Sequence, residues 1–164
     1  MSIETIQQLL IDELKDLYSA EKQIVRALPK LAKAASTPEL QQAFLSHLEE
    51  TKGQILRLEK ISDLVGKKLI GKLCVGAKGV LEEGSEVLEE MEEGVVRDAG
   101  LISAAQRVEH YEMAGYGSAR DFAKTLGLTE IASLLDETLD EEKSADKKLS
   151  VISKQVNQAA KRVG

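Results

Sequence analysis

Residues 108–117 read VEHYEMAGYG. The composition is helical, yet Glu109, His110 and Glu112 fall within four consecutive positions. Two carboxylates one turn apart ordinarily face water, whereas here Val108, Tyr111, Met113 and Tyr116 surround them. A helix with carboxylates in or beside its buried stripe needs a physical reason, because an unpaired charge is expensive to bury.

Composition frames the answer. The chain has 164 residues, which fits one domain spanning 1–164 with a sizeable core. Hydrophobic residues make up 43% but aromatics only 3%, and Trp is absent, so aliphatic residues and Ala must build that core. With 30% charged residues, two prolines and near-continuous helical spacing of apolar positions, an all-α protein is expected. The net charge of -6 and pI near 5.1 argue against general nucleic-acid or anionic-membrane binding, since phosphate contacts require clustered Lys and Arg. A lone cysteine, Cys74, excludes an intrachain disulfide and fits a reducing compartment. Neither a secretory leader nor an apolar run of membrane-spanning length is read, so the expected location is cytoplasmic.

Working outward, the first helical pattern runs from about Ser2 to Ala35, with a kink or break expected just before Pro29. The second starts at STPEL, residues 36–40, with Thr37 as cap and Pro38 at the first helical position, and ends near Gly66. Gly66, Gly71, Gly76 and Gly79 mark a connection, followed by a short acidic helix from about Val80 to Glu93. A third long helix spans about Val95 to Leu126. Gly127 ends it, and Thr129 caps a fourth that reaches about Ala160. Two long hairpins joined by a crossover that carries a short extra helix make a ferritin-like four-helix bundle, with the second and third long helices parallel. A weak internal repeat supports the pairing. One offset aligns Leu10, Ile11 and Leu17 with Leu101, Ile102 and Val108, Glu21 with Glu112, and Glu50 with Glu141.

Successive helical positions advance by about 100°. On the third long helix, Glu112 falls in the middle of the stripe set by Leu101, Ala105, Val108, Tyr116 and Ala119. Glu109 lies on the same side and His110 roughly opposite. On the fourth, the stripe favours Glu142 and the repeat favours Glu141, with Asp146 one turn beyond Glu142. On the second, His47 sits within the apolar face and Glu50 at its margin. On the first, Glu21 borders the stripe. For any one of these glutamates a solvated or salt-bridged role is the plain reading, and His47 alone reads as a core histidine. Taken together, each long helix brings a carboxylate toward one interior. A multivalent cation relieves both the burial cost and the mutual repulsion. Carboxylates with few histidines suit iron or manganese rather than thiolate-rich zinc, and facing helices of a bundle can supply a dinuclear site.

At these residues the chain resembles a known family. The segments ELKDLYSAEKQIVRALPKLAKAAS, HLEETKGQILRLEKI, RDAGLISAAQRVEHYEMAGYG and LDETLDEEKSADKKL resemble the bacterial YciE/YciF-type ferritin-like proteins, which are related to rubrerythrin-like di-iron proteins. The resemblance implies a homodimer linked to stress responses. It also implies a metal site with two glutamates one turn apart on one helix, matched by Glu109 and Glu112. Glu21 matches the first-helix glutamate and Glu50 the bridging glutamate of the second helix. The family's histidine follows that glutamate by one turn, whereas His47 precedes Glu50. On the last helix Glu142 matches the glutamate, and Asp146 stands near where a histidine is expected.

The expected metal residues are therefore Glu21, His47, Glu50, Glu109, Glu112, Glu142 and Asp146. Glu50 and Glu142 would bridge two metal ions, iron or manganese. The expected chemistry is ferrous oxidation or peroxide removal, with oxygen or peroxide as the small partner. The alternative is a noncatalytic stress-associated protein, structural or partner-binding, on the same fold.

Overall fold

The structure, a computed structural model, describes residues 2–164. Among the described residues it is entirely helical: α1 (Ile6–Ala34), α2 (Pro38–Val65), α3 (Val75–Glu90), α4 (Val95–Thr125) and α5 (Thr129–Ala160). No helix is long and apolar enough to cross a membrane among these residues.

Local chemistry sets the ends. Helix α1 starts at Ile6, later than expected, because Thr5 and Gln8 form a reciprocal cap. The Gln8 amide donates to Thr5 Oγ1, and the Thr5 amide donates to Gln8 Oε1, both at 3.1 Å. The helix does not break at Pro29. Pro29 lies on the exposed side, where water can satisfy the carbonyl its missing N–H leaves free. Leu28 and Ala32, both buried, anchor the chain on either side of it. Helix α2 ends at Gly66, whose φ of 65° is the left-handed conformation glycine adopts without cost. Thr129 is the first residue of α5 rather than its cap; Leu128 holds the cap position without a side-chain hydrogen bond.

The crossover departs most from expectation. Helix α3 begins at Val75 rather than near Val80, so Gly76 and Gly79 are helical. Cys74 caps it, with Sγ accepting the Ala77 amide at 3.3 Å. Gly76 is there for clearance: a Cβ would meet the Tyr111 ring, 2.6 Å from its hydroxyl oxygen. On α4, a Cβ at Gly100 would lie 2.9 Å from Val87 Cγ1, so α3 packs close to α4 at both ends.

The four long helices close into a ring, α1 against α2 and α4, and α5 against α2 and α4. Contacts between early α1 and late α4, and between the end of α1 and the start of α4, make these two antiparallel. Helices α2 and α4 run parallel, as the long crossover requires, and α3 lies across α1 and α4. The aliphatic core divides into two clusters. One, toward one end, includes Leu10, Leu14, Leu58, Ile61, Ala119 and Leu135. The other includes Ile24, Leu28, Leu40, Phe44, Leu101 and Leu149. Between them lies a layer of buried polar side chains.

The α1–α2 turn is held to α4 by fully buried Asp98. Its carboxylate accepts the Ser36 amide at 2.9 Å, the Thr37 amide at 2.7 Å and the Thr37 hydroxyl. The Thr37 hydroxyl, expected to cap α2, is thus spent on Asp98. Asp98→Ala strands two amides and a hydroxyl, and is expected to cost about 2–4 kcal/mol. Urea unfolding of the metal-free protein measures the loss; a change within about 0.5 kcal/mol, typical of a neutral surface substitution, would contradict it.

Candidate metal centre

The polar layer between the two aliphatic clusters is built one helix at a time. Helix α1 contributes Glu21, α2 His47, α4 Glu109 and Glu112, and α5 Glu142, and all five are buried. Donor atoms of His47, Glu109, Glu112 and Glu142 lie within 4.8 Å of one another. His47 Nε2 is 3.0 Å from Glu109 Oε1 and 3.8 Å from Glu142 Oε2. Glu21 adjoins the group and receives the Tyr116 hydroxyl on Oε1. The helical spacing that aligns Glu109 and Glu112 on one face also places Tyr116 one turn further on.

As carboxylates, these residues are undersupplied with donors. Among the described residues, both oxygens of Glu112, both of Glu142, Glu21 Oε2 and Glu109 Oε2 have no hydrogen-bond partner, and His47 Nε2 is not aligned for one. Buried polar atoms are almost always satisfied, so a concentration of unmet acceptors in one layer points to a missing positive partner. The donor set of carboxylate oxygens and one imidazole fits a hard or borderline divalent ion. The buried His/Glu cluster can therefore hold a metal ion.

Glu50 does not join the donor cluster as expected of a bridging ligand. Its side chain is 29% exposed, with Oε2 3.2 Å from His47 Nδ1 and Oε1 3.6 Å from Lys148 Nζ. It occupies the far side of the imidazole, where it can accept the Nδ1–H hydrogen bond and leave Nε2 as the atom facing the cluster. Position accounts for this: Glu50 sits at the margin of the α2 stripe, and the solvent-side cation Lys148 draws it outward. Asp146 also stays outside the cluster. It is 3.2 Å from His110 Nε2 and accepts Gln106 Nε2 at 3.2 Å, on the outer side of the α4–α5 seam. Glu141 binds Arg57 with both oxygens, at 3.1 and 2.8 Å, and takes Gln54 Nε2 at 3.0 Å. On α5 it is thus Glu142 that points inward, as the stripe indicates and the repeat does not.

Sequence reading missed two supports. Tyr116, read as packing, fixes one oxygen of Glu21. Thr51, fully buried, donates its hydroxyl to the His47 carbonyl at 2.8 Å, a bond one helical turn long that spacing could have suggested.

Protons manage the repulsion in the metal-free state. Burial raises Glu21 from 4.5 to about 7. Burial, then the charges of neighbouring carboxylates, push Glu112 and Glu142 well above their ordinary value. Burial opposes ionisation of Glu109 as well, but protonated Glu142 and the charge of His47 outweigh it and hold Glu109 low. Burial would lower His47, yet Glu109 and Glu50 raise it well above 6.5.

Between 4.5 and about 7, unfolded glutamates are ionised while folded Glu21, Glu112 and Glu142 retain protons. The folded state binds more protons there, so stability falls as pH rises through this window. Above 6.5, raised His47 adds a loss of the same sign. Glu109 and Glu50, both lowered, act only below this range. The melting temperature of metal-free protein is therefore expected to drop from pH 4.5 to 7; a rise across this interval would contradict the assignment.

The chain matches the family described as "Domain of unknown function (DUF892)" over residues 5–161. It is similar to Protein YciF of Escherichia coli strain K12, with 50% identity over 151 residues that cover 92% of this chain and 91% of that protein. The crystal structure of the E. coli stress protein YciF superposes with a TM-score of 0.92 at 47% identity, covering 95% of this chain and 99% of that one. YcfI of Rhodopseudomonas palustris gives a TM-score of 0.88 at 41% identity, with 91% and 95% covered. The chain belongs to the DUF892 family and is a YciF-like protein.

Proposed function

We propose that the protein is a ferritin-like dinuclear carboxylate protein that performs redox chemistry on ferrous iron, oxygen or peroxide. The observation that carries this reading is the set of buried carboxylate oxygens without donors, above all both oxygens of Glu112 and of Glu142. Charge supports the number of ions. Glu21, Glu109, Glu112 and Glu142 would carry four negative charges when ionised, which two divalent cations neutralise with His47 uncharged. Ring packing with parallel α2 and α4 supports the ferritin-like assignment. A YciF-like chain is similar to a protein described as a stress protein, which fits removal of reactive iron or oxidant. In this reading the protein acts in the cytoplasm as a homodimer.

Each residue has a task that its surroundings prepare. Glu112 and Glu142, buried in the same layer, would hold the metal through their carboxylate oxygens. Glu109 and His47 would hold one side, and Glu21 the other through Oε2, its Oε1 being held by Tyr116. Glu50 keeps the His47 ring oriented with Nε2 inward. When bound, iron or manganese supplies one-electron redox couples and Lewis acidity. The surrounding aliphatic clusters exclude bulk water and so strengthen the electrostatic hold of these ligands.

Elemental analysis and anaerobic titration test the reading. About two equivalents of iron or manganese per chain are expected, with proton release, because the raised carboxylates must ionise to bind. Glu112→Gln should abolish stoichiometric binding while stabilising the metal-free fold at pH 7 by about 1–3 kcal/mol, since a glutamine need not take up a proton to be buried. Glu50→Gln should weaken affinity by about 10–100-fold without abolishing binding, as expected for a residue that orients a ligand. Full binding by Glu112→Gln would overturn the site.

A further inference from the structure

Two cavities with mainly aliphatic linings adjoin beside the metal layer. The inner one, about 30 Å³, reaches His47 and Glu109. The outer one, about 40 Å³, lies beneath α3 and is edged by exposed Lys30 and Ser85. They share walls at Ala27, Leu31, Leu81, Ala105 and Val108. We propose that these cavities form a passage that brings dioxygen from the surface beside α3 to the His47–Glu109 side of the metal centre. The destination rests on the metal reading; the passage itself does not.

Size and chemistry select the occupant. A water molecule needs about 10–15 Å³ of such volume, so the cavities admit roughly two to four bodies of that size each, enough for a diatomic but not for a chain. The shared walls are aliphatic and offer no hydrogen bond. A hydrated cation or hydrogen peroxide would have to shed its water against them without compensation, whereas dioxygen loses almost nothing. The inner cavity has a second, polar margin at Ser46, Glu50 and Lys148, and charged or hydrogen-bonding species are better served there. Helix α3 roofs the passage and is lightly held, with only Ala77 and Gly84 of its residues buried. Half-buried Leu81 lines both cavities. Were a ferrous pair held by these residues, it would supply the two electrons, and solvent the two protons, that convert dioxygen to hydrogen peroxide.

Xenon, an apolar surrogate of similar size, tests the passage in metal-free protein. Under xenon pressure a site is expected between Ala27, Leu81 and Ala105, and Leu81→Trp should abolish it. In iron-loaded protein, stopped-flow oxidation by dioxygen should slow by about tenfold in Leu81→Trp and be no slower than wild type in Leu81→Ala. Oxidation by hydrogen peroxide and the iron content should be the same in all three. No xenon in the cavities, or a dioxygen rate untouched by Leu81→Trp at full iron content, overturns the passage. Failure of every form to take up metal overturns the metal reading instead, and the xenon result then decides the passage alone.

Discussion

Four glutamates share one buried layer with a single histidine, and the rest of the molecule is organised around what their charge requires. Ionised together without a counter-charge they would repel across distances of a few ångströms in a poorly polarisable interior. The metal-free protein avoids this by retaining protons on Glu21, Glu112 and Glu142 and pairing Glu109 with His47. In that state protonated Glu142 donates to Glu109, so oxygens that lack partners as carboxylates are served by shared protons. Cations in place of protons would satisfy the same atoms and exchange repulsion for coordination.

The fold serves that layer by bracketing it. Aliphatic clusters above and below hold the helices rigidly, so the ligand-bearing turns cannot splay apart. Polar supports then aim the side chains: Glu50 behind His47, Thr51 on the His47 carbonyl, Tyr116 on Glu21. Helix α3 is different in kind. Glycines at its contacts bring it close to α4, yet it contributes little buried surface and covers the apolar cavities rather than the ligands.

Much of this was legible in the sequence because helical periodicity converts directly into direction. The stripe on α4 placed Glu109 and Glu112 inward; that on α5 favoured Glu142, while the internal repeat favoured Glu141 and left the choice open. What periodicity could not resolve was how marginal residues divide. Glu50 and Asp146 both lie near a stripe, and their fate depends on neighbours from another helix, Lys148 for one and His110 with Gln106 for the other. Local rules left a break open at Pro29, where α1 instead runs on between buried Leu28 and Ala32. They misread the start of α3, where tertiary packing, including the close approach of Gly76 to Tyr111, overrode propensity.

The most direct measurement is anomalous diffraction from crystals of the protein loaded with manganese. A pair of anomalous peaks enclosed by Glu21, His47, Glu109, Glu112 and Glu142, with Glu50 still behind the imidazole, is the expected result. Fully loaded crystals whose only peaks lie at surface carboxylates, with the buried layer unchanged, would contradict it.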